Sequence, residues 1–260
     1  MSRILIAFVV LLVFCPALAL VSAEESTFPV QHSWGRIVPK PKTVELQVKS
    51  MPNDRIIRIP RFNNPHKRVY LQTDTQEQPL ELRPEVSEWL ITLPRSTSIP
   101  ATIIIETVST PQLLTKPFVT AANKDGTFVL SAHHAVVHGE LLRYEPQPHK
   151  NTVGYWANAR DWCEWPIEVS EPGAYDVHIL QGCGQGHGGS RVQISVGSSK
   201  LTFTVEDTGH FQNFKERHVG TLQLAEARRQ ALKVVPVNKA KGAVMDVRRI
   251  RLVLTADTKP

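Results

Sequence analysis

The chain has 260 residues and a formal net charge of +6, from 30 Lys and Arg against 24 Asp and Glu. The positive excess is modest and scattered, without the dense basic stripe or recognisable module of a nucleic-acid-binding protein, so we expect no nucleic-acid partner. The length allows either one large β domain or two small ones.

Residues 1–23 have the layout of a signal peptide: Arg3 supplies positive charge, 4–13 form an apolar run, and V-S-A is a small-residue cleavage sequence. The mature chain is then expected to begin near Glu24. Because the apolar run is broken by Pro16 and is shorter than the ~20 residues that span a bilayer, we expect no membrane span. These features predict a secreted or periplasmic protein, whose positive charge favours weak attraction to acidic polysaccharide.

Short alternating apolar runs follow, separated by Gly, Pro and Asn turns, and this pattern is typical of β-sandwiches. In the first half of the chain they predict strands at 44–48, 55–59, 69–71, 89–93 and 102–108. In the second half they predict strands at 127–130, 162–169, 175–181, 192–196, 201–205, 220–224, 232–237 and 245–254. Residues 222–232 have helical propensity and could form either a helix or a strand, a turn and a strand.

Residues 111–126 lack alternation and are rich in Pro, Asn and Gly, so they predict a linker. We therefore predict an all-β chain of two domains. The first is a small antiparallel β-sandwich at 33–110, and the second is a larger β-sandwich at 127–255.

Two cysteines, Cys163 and Cys183, remain after the predicted cleavage. Alternation places both on the inward face of their strands. If the two strands pair about the turn at 170–173, Cys163 lies opposite a residue near Leu180. Because Cα atoms more than ~7 Å apart cannot be bridged, this offset favours two buried thiols, with a disulfide as the alternative.

Aromatic, amide and charged residues cluster in three bends, R-Y-E-P-Q-P-H-K, V-G-Y-W-A-N-A-R-D-W and V-E-D-T-G-H-F-Q-N-F. Flat aromatic faces among short hydrogen-bonding side chains suit a polyhydroxylated ring, which has apolar C–H faces and directional hydroxyls. Glu145 and Lys150 belong to the first bend, and Gln212 to the third. The predicted ligand-binding residues are Arg143, Tyr144, His149, Trp156, Asp207, His210, Phe211 and Asn213.

Each of these interpretations has a structural alternative. Trp156 could cap the sandwich core, and for Tyr155 the core is the favoured position. Asp207 and Asn213 could satisfy the backbone of their own turn. Trp162 and Trp165 are an odd number of positions apart and therefore face opposite sides of a sheet, with Trp165 in the core.

Other chemistry has weak support. His134 and His138 would face one way only on a helix, whereas this segment reads as strand and turn, so we predict no metal site. The glycine-rich stretch at 182–189 precedes a strand, unlike a phosphate-binding loop. No nucleophile stands in a recognisable motif, so we predict no catalytic residues. The sequence leaves open whether folding brings two carboxylates together, as glycoside hydrolysis requires.

Three ordered motifs carry a resemblance across the second predicted domain. They are D-W-x-E-W from Asp161 to Trp165, P-G-x-Y from Pro172 to Tyr175, and Asp246 before the closing apolar run. Together they resemble the galactose-binding-like, jelly-roll β-sandwich of family 6 carbohydrate-binding modules. The block from L-L-R-Y-E-P-Q-P-H-K to V-E-D-T-G-H-F-Q-N-F also looks like the module at the C-terminal end of certain bacterial α-L-fucosidases and sulfatases.

The first predicted domain, from the Trp34-Gly35 pair through W-L-I-T-L-P-R to the strand at 102–108, is similar to the small C-terminal β domain of α-L-fucosidases. In that family a catalytic barrel of ~250 residues comes first. No positions here match its nucleophile or its acid/base residue. The resemblance therefore implies the accessory β domains without the activity.

The sequence thus predicts an exported, non-catalytic carbohydrate-binding protein with no cofactor. Family 6-like modules often hold calcium beside an acidic residue on the first strand, which His133 replaces here, so a structural calcium is only an alternative. The expected partner is carbohydrate, and a partner glycoside hydrolase or sulfatase would fit the resemblance. Two other functions remain open: a structural or interaction module that docks to an enzyme or envelope component, and a divergent or truncated glycoside hydrolase.

Overall fold

The computed structural model describes residues 31–113 and 116–255. The predicted signal peptide at 1–23 lies outside these ranges. The described chain is nearly all-β, with twenty strands in four sheets and one 3-10 turn at Ala132–His134. The all-β prediction is therefore confirmed. Within the same ranges, no helix has the length and apolar character needed to cross a membrane.

The first half of the described chain forms sheets I and II. Its strands are β1 (Gly35–Lys40), β2 (Thr43–Val48), β3 (Ile56–Pro60), β4 (His66–Gln72), β5 (Glu77–Pro79), β6 (Leu82–Pro84), β7 (Glu88–Thr92) and β8 (Ala101–Thr107). Sheet I has the order β1-β2-β8-β4-β5, and sheet II the order β3-β7-β6. Alternation buries Val44, Leu46 and Val48 on β2, against Trp89 and Ile91 of β7 in one core.

The second half forms sheets III and IV. Its strands are β9 (Thr120–Ala121), β10 (Phe128–Ser131), β11 (Val136–His138), β12 (Arg143–Glu145), β13 (Thr152–Gly154), β14 (Trp162–Glu168), β15 (Gly173–Cys183), β16 (Arg191–Val196), β17 (Ser199–Thr204), β18 (His210–Leu224), β19 (Arg229–Asn238) and β20 (Asp246–Leu254). Sheet III has the order β11-β14-β19-β16-β17, with β9 parallel to β14. Sheet IV has the order β12-β13-β20-β15-β18, with β10 beside β20.

All thirteen predicted strands are present, but β18 begins ten residues earlier than predicted. Residues 222–232 are the end of β18, a turn and the start of β19, so the strand alternative is correct there. The strands that the sequence did not predict are β1, β5, β6, β9, β11, β12 and β13. Six of these seven are only two or three residues long, too short for alternation to stand out.

The predicted pairing of the two cysteine strands is wrong. β14 lies in sheet III and β15 in sheet IV, because the turn at 170–173 crosses from one sheet to the other. Cys163 and Cys183 are both buried and free, which confirms the prediction of two thiols. The reason differs from the predicted one, because the two strands lie in different sheets. Burial raises the pKa of both thiols, that of Cys183 to about 11.

Side chains and backbone join the two halves. The Arg61 guanidinium donates to the Ala135 carbonyl at 3.1 Å, and the Gln147 side chain donates to the Leu82 carbonyl at 3.3 Å. The His66 amide donates to the Pro146 carbonyl at 3.2 Å. The segment between the halves contains β9 and is therefore partly regular. The boundaries at 33–110, 111–126 and 127–255 stay a prediction.

Asp161 fixes the loop that leads into β14. Its buried carboxylate accepts hydrogen bonds from the amides of Glu140, Leu141 and Leu142 at 2.9–3.1 Å. Its carbonyl accepts the indole N–H of Trp156 at 2.9 Å. The D-W motif thus has a structural role, in which one carboxylate satisfies three backbone donors.

We expect Asp161→Ala to lower the free energy of unfolding by about 1–3 kcal/mol, because three backbone donors lose their acceptor. The measurement is urea unfolding followed by tryptophan fluorescence. Asp125→Ala is the matched control, since Asp125 accepts one exposed amide, that of Thr127 at 3.0 Å. Equal losses in the two variants would contradict the clamping role of Asp161.

Candidate functional site

Two of the predicted ligand-facing rings are buried. Tyr144 and Trp156 are both 0% exposed, so the prediction that they stack on a ligand is wrong. Alternation along β12 points Tyr144 inward, where its hydroxyl donates to the Asn151 side chain at 2.9 Å. The indole of Trp156 packs in the core and bonds to Asp161.

Tyr155 takes the exposed position instead, with 52% of its surface exposed, so the core position favoured for it is also wrong. Strict alternation from Val153 would point Tyr155 inward and Trp156 outward. Tyr155 has φ 58°, in the left-handed region, and this reverses the two side chains. The Arg143 guanidinium lies 3.9 Å from the centre of the Tyr155 ring.

The bend around Gly209 is a turn whose side chains bond to backbone. The Asp207 carboxylate accepts the amides of Gly186 and Gly209, and the Asn213 side chain donates to the Thr208 carbonyl. Asp207 and Asn213 therefore satisfy the backbone of their own turn, as the structural alternative states, and these bonds occupy groups that a ligand would need. From His210 onward the segment is not a turn but the start of β18.

The two other predicted ligand residues of this bend, His210 and Phe211, also contact neighbouring parts of the protein. The ring nitrogen of His210 accepts the Gln212 amide at 3.2 Å. Phe211 is half-buried against Gly184, and its ring centre lies 5.4 Å from that of His187. Phe211 therefore packs on its own loops and offers only part of its ring.

A bulge interrupts the pairing of β20 with β15 in sheet IV. Gln181 pairs with Val247 and Gly182 with Asp246, whereas Leu180 pairs with Arg249, so Arg248 is the extra residue. The bulge turns Val247 inward and Asp246 outward. Gly182 thus flanks Asp246 on β15, and Gly154 flanks it on β13.

Two carboxyl groups meet above Gly154. A Cβ atom at Gly154 would lie 2.8 Å from an Asp246 oxygen and 2.9 Å from a Glu145 oxygen, so a side chain at this position would displace both carboxyl groups. Asp246 is 4% exposed and Glu145 is 5% exposed. The Lys150 ammonium lies 2.9 Å from the other Glu145 oxygen. Folding has therefore brought together two carboxyl groups about a hundred positions apart.

Burial raises the pKa of Asp246 well above its usual value, and the nearby Glu145 carboxyl raises it further. Lys150, a hydrogen bond from the Gln212 side chain and the Arg248 charge act in the opposite direction. The net effect is a raised pKa, so the Asp246 carboxyl keeps its proton to a higher pH than a solvent-exposed aspartate does.

Arg248 connects the first and third bends. Its guanidinium donates to the carbonyls of His149 and Lys150, both at 2.6 Å, and lies 3.8 Å from the centre of the Phe214 ring. Gly182 allows the start of β18 to pass close by, since a Cβ there would lie 1.8 Å from the Phe211 carbonyl. The two bends therefore converge on this face. His149 accepts the Arg248 hydrogen bond through its backbone carbonyl and not through the side chain predicted to bind a ligand.

We call this region the sheet IV surface. It comprises Arg143, Glu145, Lys150, Tyr155, Gln212, Phe214, Asp246 and Arg248. Arg143 is the one predicted ligand residue whose side chain belongs to it. Membership of the three predicted bends pointed to Glu145, Lys150, Tyr155, Gln212 and Phe214, although the core was the favoured position for Tyr155. Asp246 belongs only to a family motif, and no residue pattern indicated Arg248.

The surface combines an exposed ring with groups that donate and accept hydrogen bonds. Tyr155 and Phe214 supply apolar ring surface, and Lys150, Gln212 and Arg248 supply donors. This is the chemistry that a saccharide needs, because its hydroxyls require directed partners and its C–H faces require apolar ones.

A second aromatic position lies on the outer face of sheet III. Trp165 is fully buried as predicted, and Trp162 points the other way, stacked on His138 with ring centres 3.8 Å apart. His134 instead stacks on Phe118. Within 31–113 and 116–255, no three His, Cys, Asp or Glu side chains are grouped to hold a metal ion.

No protein-family model matches the chain, and no curated protein matches it. Among solved structures, it is similar to an α-L-fucosidase from Vibrio sp. strain EJY3, with 14% identity, 86% of this chain covered and a TM-score of 0.36. The chain spans 41% of that fucosidase.

The chain is also similar to the C-terminal family 6 carbohydrate-binding module of a marine laminarinase from Zobellia galactanivorans. That match has 20% identity, covers 49% of this chain and 98% of the module, and has a TM-score of 0.41. A match to the insecticidal crystal protein Cry2Aa has 13% identity, 63% and 28% coverage, and a TM-score of 0.46. The fucosidase and the family 6 module are of the two kinds that the sequence motifs resemble.

We expect Asp246→Asn to change how stability depends on pH. The folded-state pKa of Asp246 is raised, so its contribution to stability is fully present below the unfolded pKa of about 4 and is lost as pH rises through the folded pKa. As pH rises above about 4, the wild-type protein should therefore lose stability relative to the variant. Urea unfolding of both proteins at a series of pH values measures the difference.

Asp176→Asn is the matched control on the same sheet. The Thr221 hydroxyl and then His218 lower the pKa of Asp176, so this variant should lose stability relative to wild type as pH rises. The same slope in both variants, or no slope for Asp246→Asn, would contradict the buried carboxyl pair.

Proposed function

We propose that this protein is an exported, non-catalytic carbohydrate-binding protein that binds a glycan at the sheet IV surface. The observation that carries the proposal is the convergence of two polar bends on one sheet face, beside the exposed ring of Tyr155. Export is part of the proposal and rests on the signal-peptide pattern at 1–23.

The proposed binding mode places one sugar ring against Tyr155, with its hydroxyls toward Lys150 and Gln212. Arg143 covers one side of the Tyr155 ring and holds its orientation, which lowers the ordering cost of binding. Ring stacking contributes about 0.5–1.5 kcal/mol beyond area burial. Few groups are desolvated by one sugar, so we expect weak binding of monosaccharides and tighter binding of longer glycans.

The carboxyl pair supports a binding role over a hydrolytic one. Asp246 and Glu145 resemble an acid/base pair in being adjacent, but both lie almost completely below the surface. Lys150 already neutralises Glu145. A glycosidic oxygen would have to displace these groups before either carboxyl could transfer a proton to it, since proton transfer requires hydrogen-bond contact.

A second candidate function is protein docking through sheet III. Trp162 precedes Cys163, which pairs with Val234, and the next residue of β19, Val235, is exposed, as is Val237. We infer that Trp162 and these two valines form an apolar patch of the kind that binds another protein. A partner glycoside hydrolase or sulfatase would suit this surface, and the two functions can coexist because they use opposite sheets.

We expect Tyr155→Ala to weaken glycan binding about two- to tenfold through loss of ring stacking, and Tyr155→Phe to leave it nearly unchanged. The measurement is calorimetric titration of the mature protein with a panel of neutral oligosaccharides, including fucosylated ones, at millimolar concentration. Trp162→Ala is the control on the opposite sheet and should bind as wild type does.

The same titration can contradict the proposal in two ways. If no oligosaccharide binds, the carbohydrate-binding function is wrong. If Trp162→Ala abolishes binding and Tyr155→Ala does not, the glycan site lies on sheet III instead.

A further inference from the structure

A cleft of about 340 Å³ lies where the two halves of the chain meet. Arg61, which follows β3, lines it from the first half, and Phe118 and His134 line it from the second. Its volume is near the lower end for small-molecule sites, which suits one sugar ring rather than an extended chain. It is separate from the sheet IV surface. Tyr144 points toward Arg61, whereas its neighbours Arg143 and Glu145 point to the opposite side of β12.

Arg61 brings an uncompensated positive charge to this cleft. Its guanidinium donates to the carbonyls of Ala135 and His133, at 3.1 and 3.5 Å, and lies 5.2 Å from the Tyr144 ring centre. Its Nε is buried and has no hydrogen-bond partner. Among the described residues, no carboxylate forms an ion pair with it.

A half-buried arginine without an anion is unusual, because buried charges are normally paired. Burial lowers the pKa of Arg61 to about 10, and the Tyr144 hydroxyl only partly opposes this. The side chain still carries its charge at neutral pH, so an anionic group that enters the cleft would gain a charge-assisted hydrogen bond.

A pair of stacked rings lines the cleft from the second half of the chain, beside Lys116. The Phe118 and His134 rings stack with centres 3.7 Å apart and planes 17° apart. Burial, then His133 and Arg61, lower the pKa of His134 to about 3, so its ring is neutral at physiological pH. A neutral ring pair offers the apolar face on which a pyranose can lie.

We propose that this cleft is a second binding site, for a carboxylate-bearing sugar ring such as a hexuronate, with Arg61 binding the carboxylate and Phe118 and His134 contacting the ring. This inference rests on the proposed glycan-binding function and names an acidic glycan as its ligand class. The net charge of +6 adds long-range attraction for such a polymer.

The test is calorimetric titration of the mature protein with galacturonate and glucuronate, against galactose and glucose as uncharged counterparts, at low ionic strength. We expect the uronates to bind at least tenfold more tightly than the neutral sugars. Added salt should weaken uronate binding, because it screens the attraction between the charges. Inorganic sulfate is the third ligand. Sulfate binding as tight as that of the uronates would overturn the sugar-ring contact.

Variants separate this site from the sheet IV surface. Arg61→Gln should reduce uronate affinity at least tenfold, and Phe118→Ala should reduce it about two- to tenfold. Arg95→Gln removes an exposed arginine elsewhere and should bind as wild type does. Tyr155→Ala should leave uronate binding unchanged, and Arg61→Gln should leave neutral-oligosaccharide binding unchanged.

Arg61 also bridges the two halves, so thermal unfolding of each variant is measured first. If Arg61→Gln is unfolded, Phe118→Ala and the comparison of uronate with neutral sugar decide the matter. Unchanged uronate binding in folded Arg61→Gln or in Phe118→Ala would overturn the inference, as would equal affinity for charged and neutral sugars. Each result can occur whether or not the sheet IV surface binds a neutral glycan.

Discussion

Burial of the Asp246 carboxyl between two glycines is the constraint on which the sheet IV surface depends. A carboxyl in this position is costly unless neighbouring groups solvate it. Gln212 and Lys150 do so from two separate bends, and Arg248 ties the backbone of one bend to the Phe214 ring beside the other. The bends therefore converge because the carboxyl beneath them requires partners from both sides.

The sequence predicted the strands well where alternation was long enough to see. β2 and β14 alternate over six and seven residues, and their buried positions follow from the pattern. β12 and β13 have three residues each, and they nevertheless carry Glu145 and Gly154 to the centre of the candidate surface. Short strands of this kind are formed by pairing with a partner rather than by their own residue types.

The candidate surface was harder to predict than the fold. Trp156 and Tyr155 exchanged places because Tyr155 adopts a left-handed conformation, which nothing in a tyrosine indicates. Asp246 faces outward because of a bulge at Arg248, and bulges leave no clear mark in a single sequence. No sequence pattern indicated the cleft at Arg61 either, because residues from both halves of the chain line it.

The most direct measurement of the central claim is amide chemical-shift mapping by NMR, with isotope-labelled mature protein and a bound oligosaccharide. The account predicts shifts concentrated at Gly154, Tyr155, Gln212 and Phe214, with saturation at a common affinity. Shifts confined to Trp162 and its neighbours on sheet III, or shifts that never saturate, would contradict it.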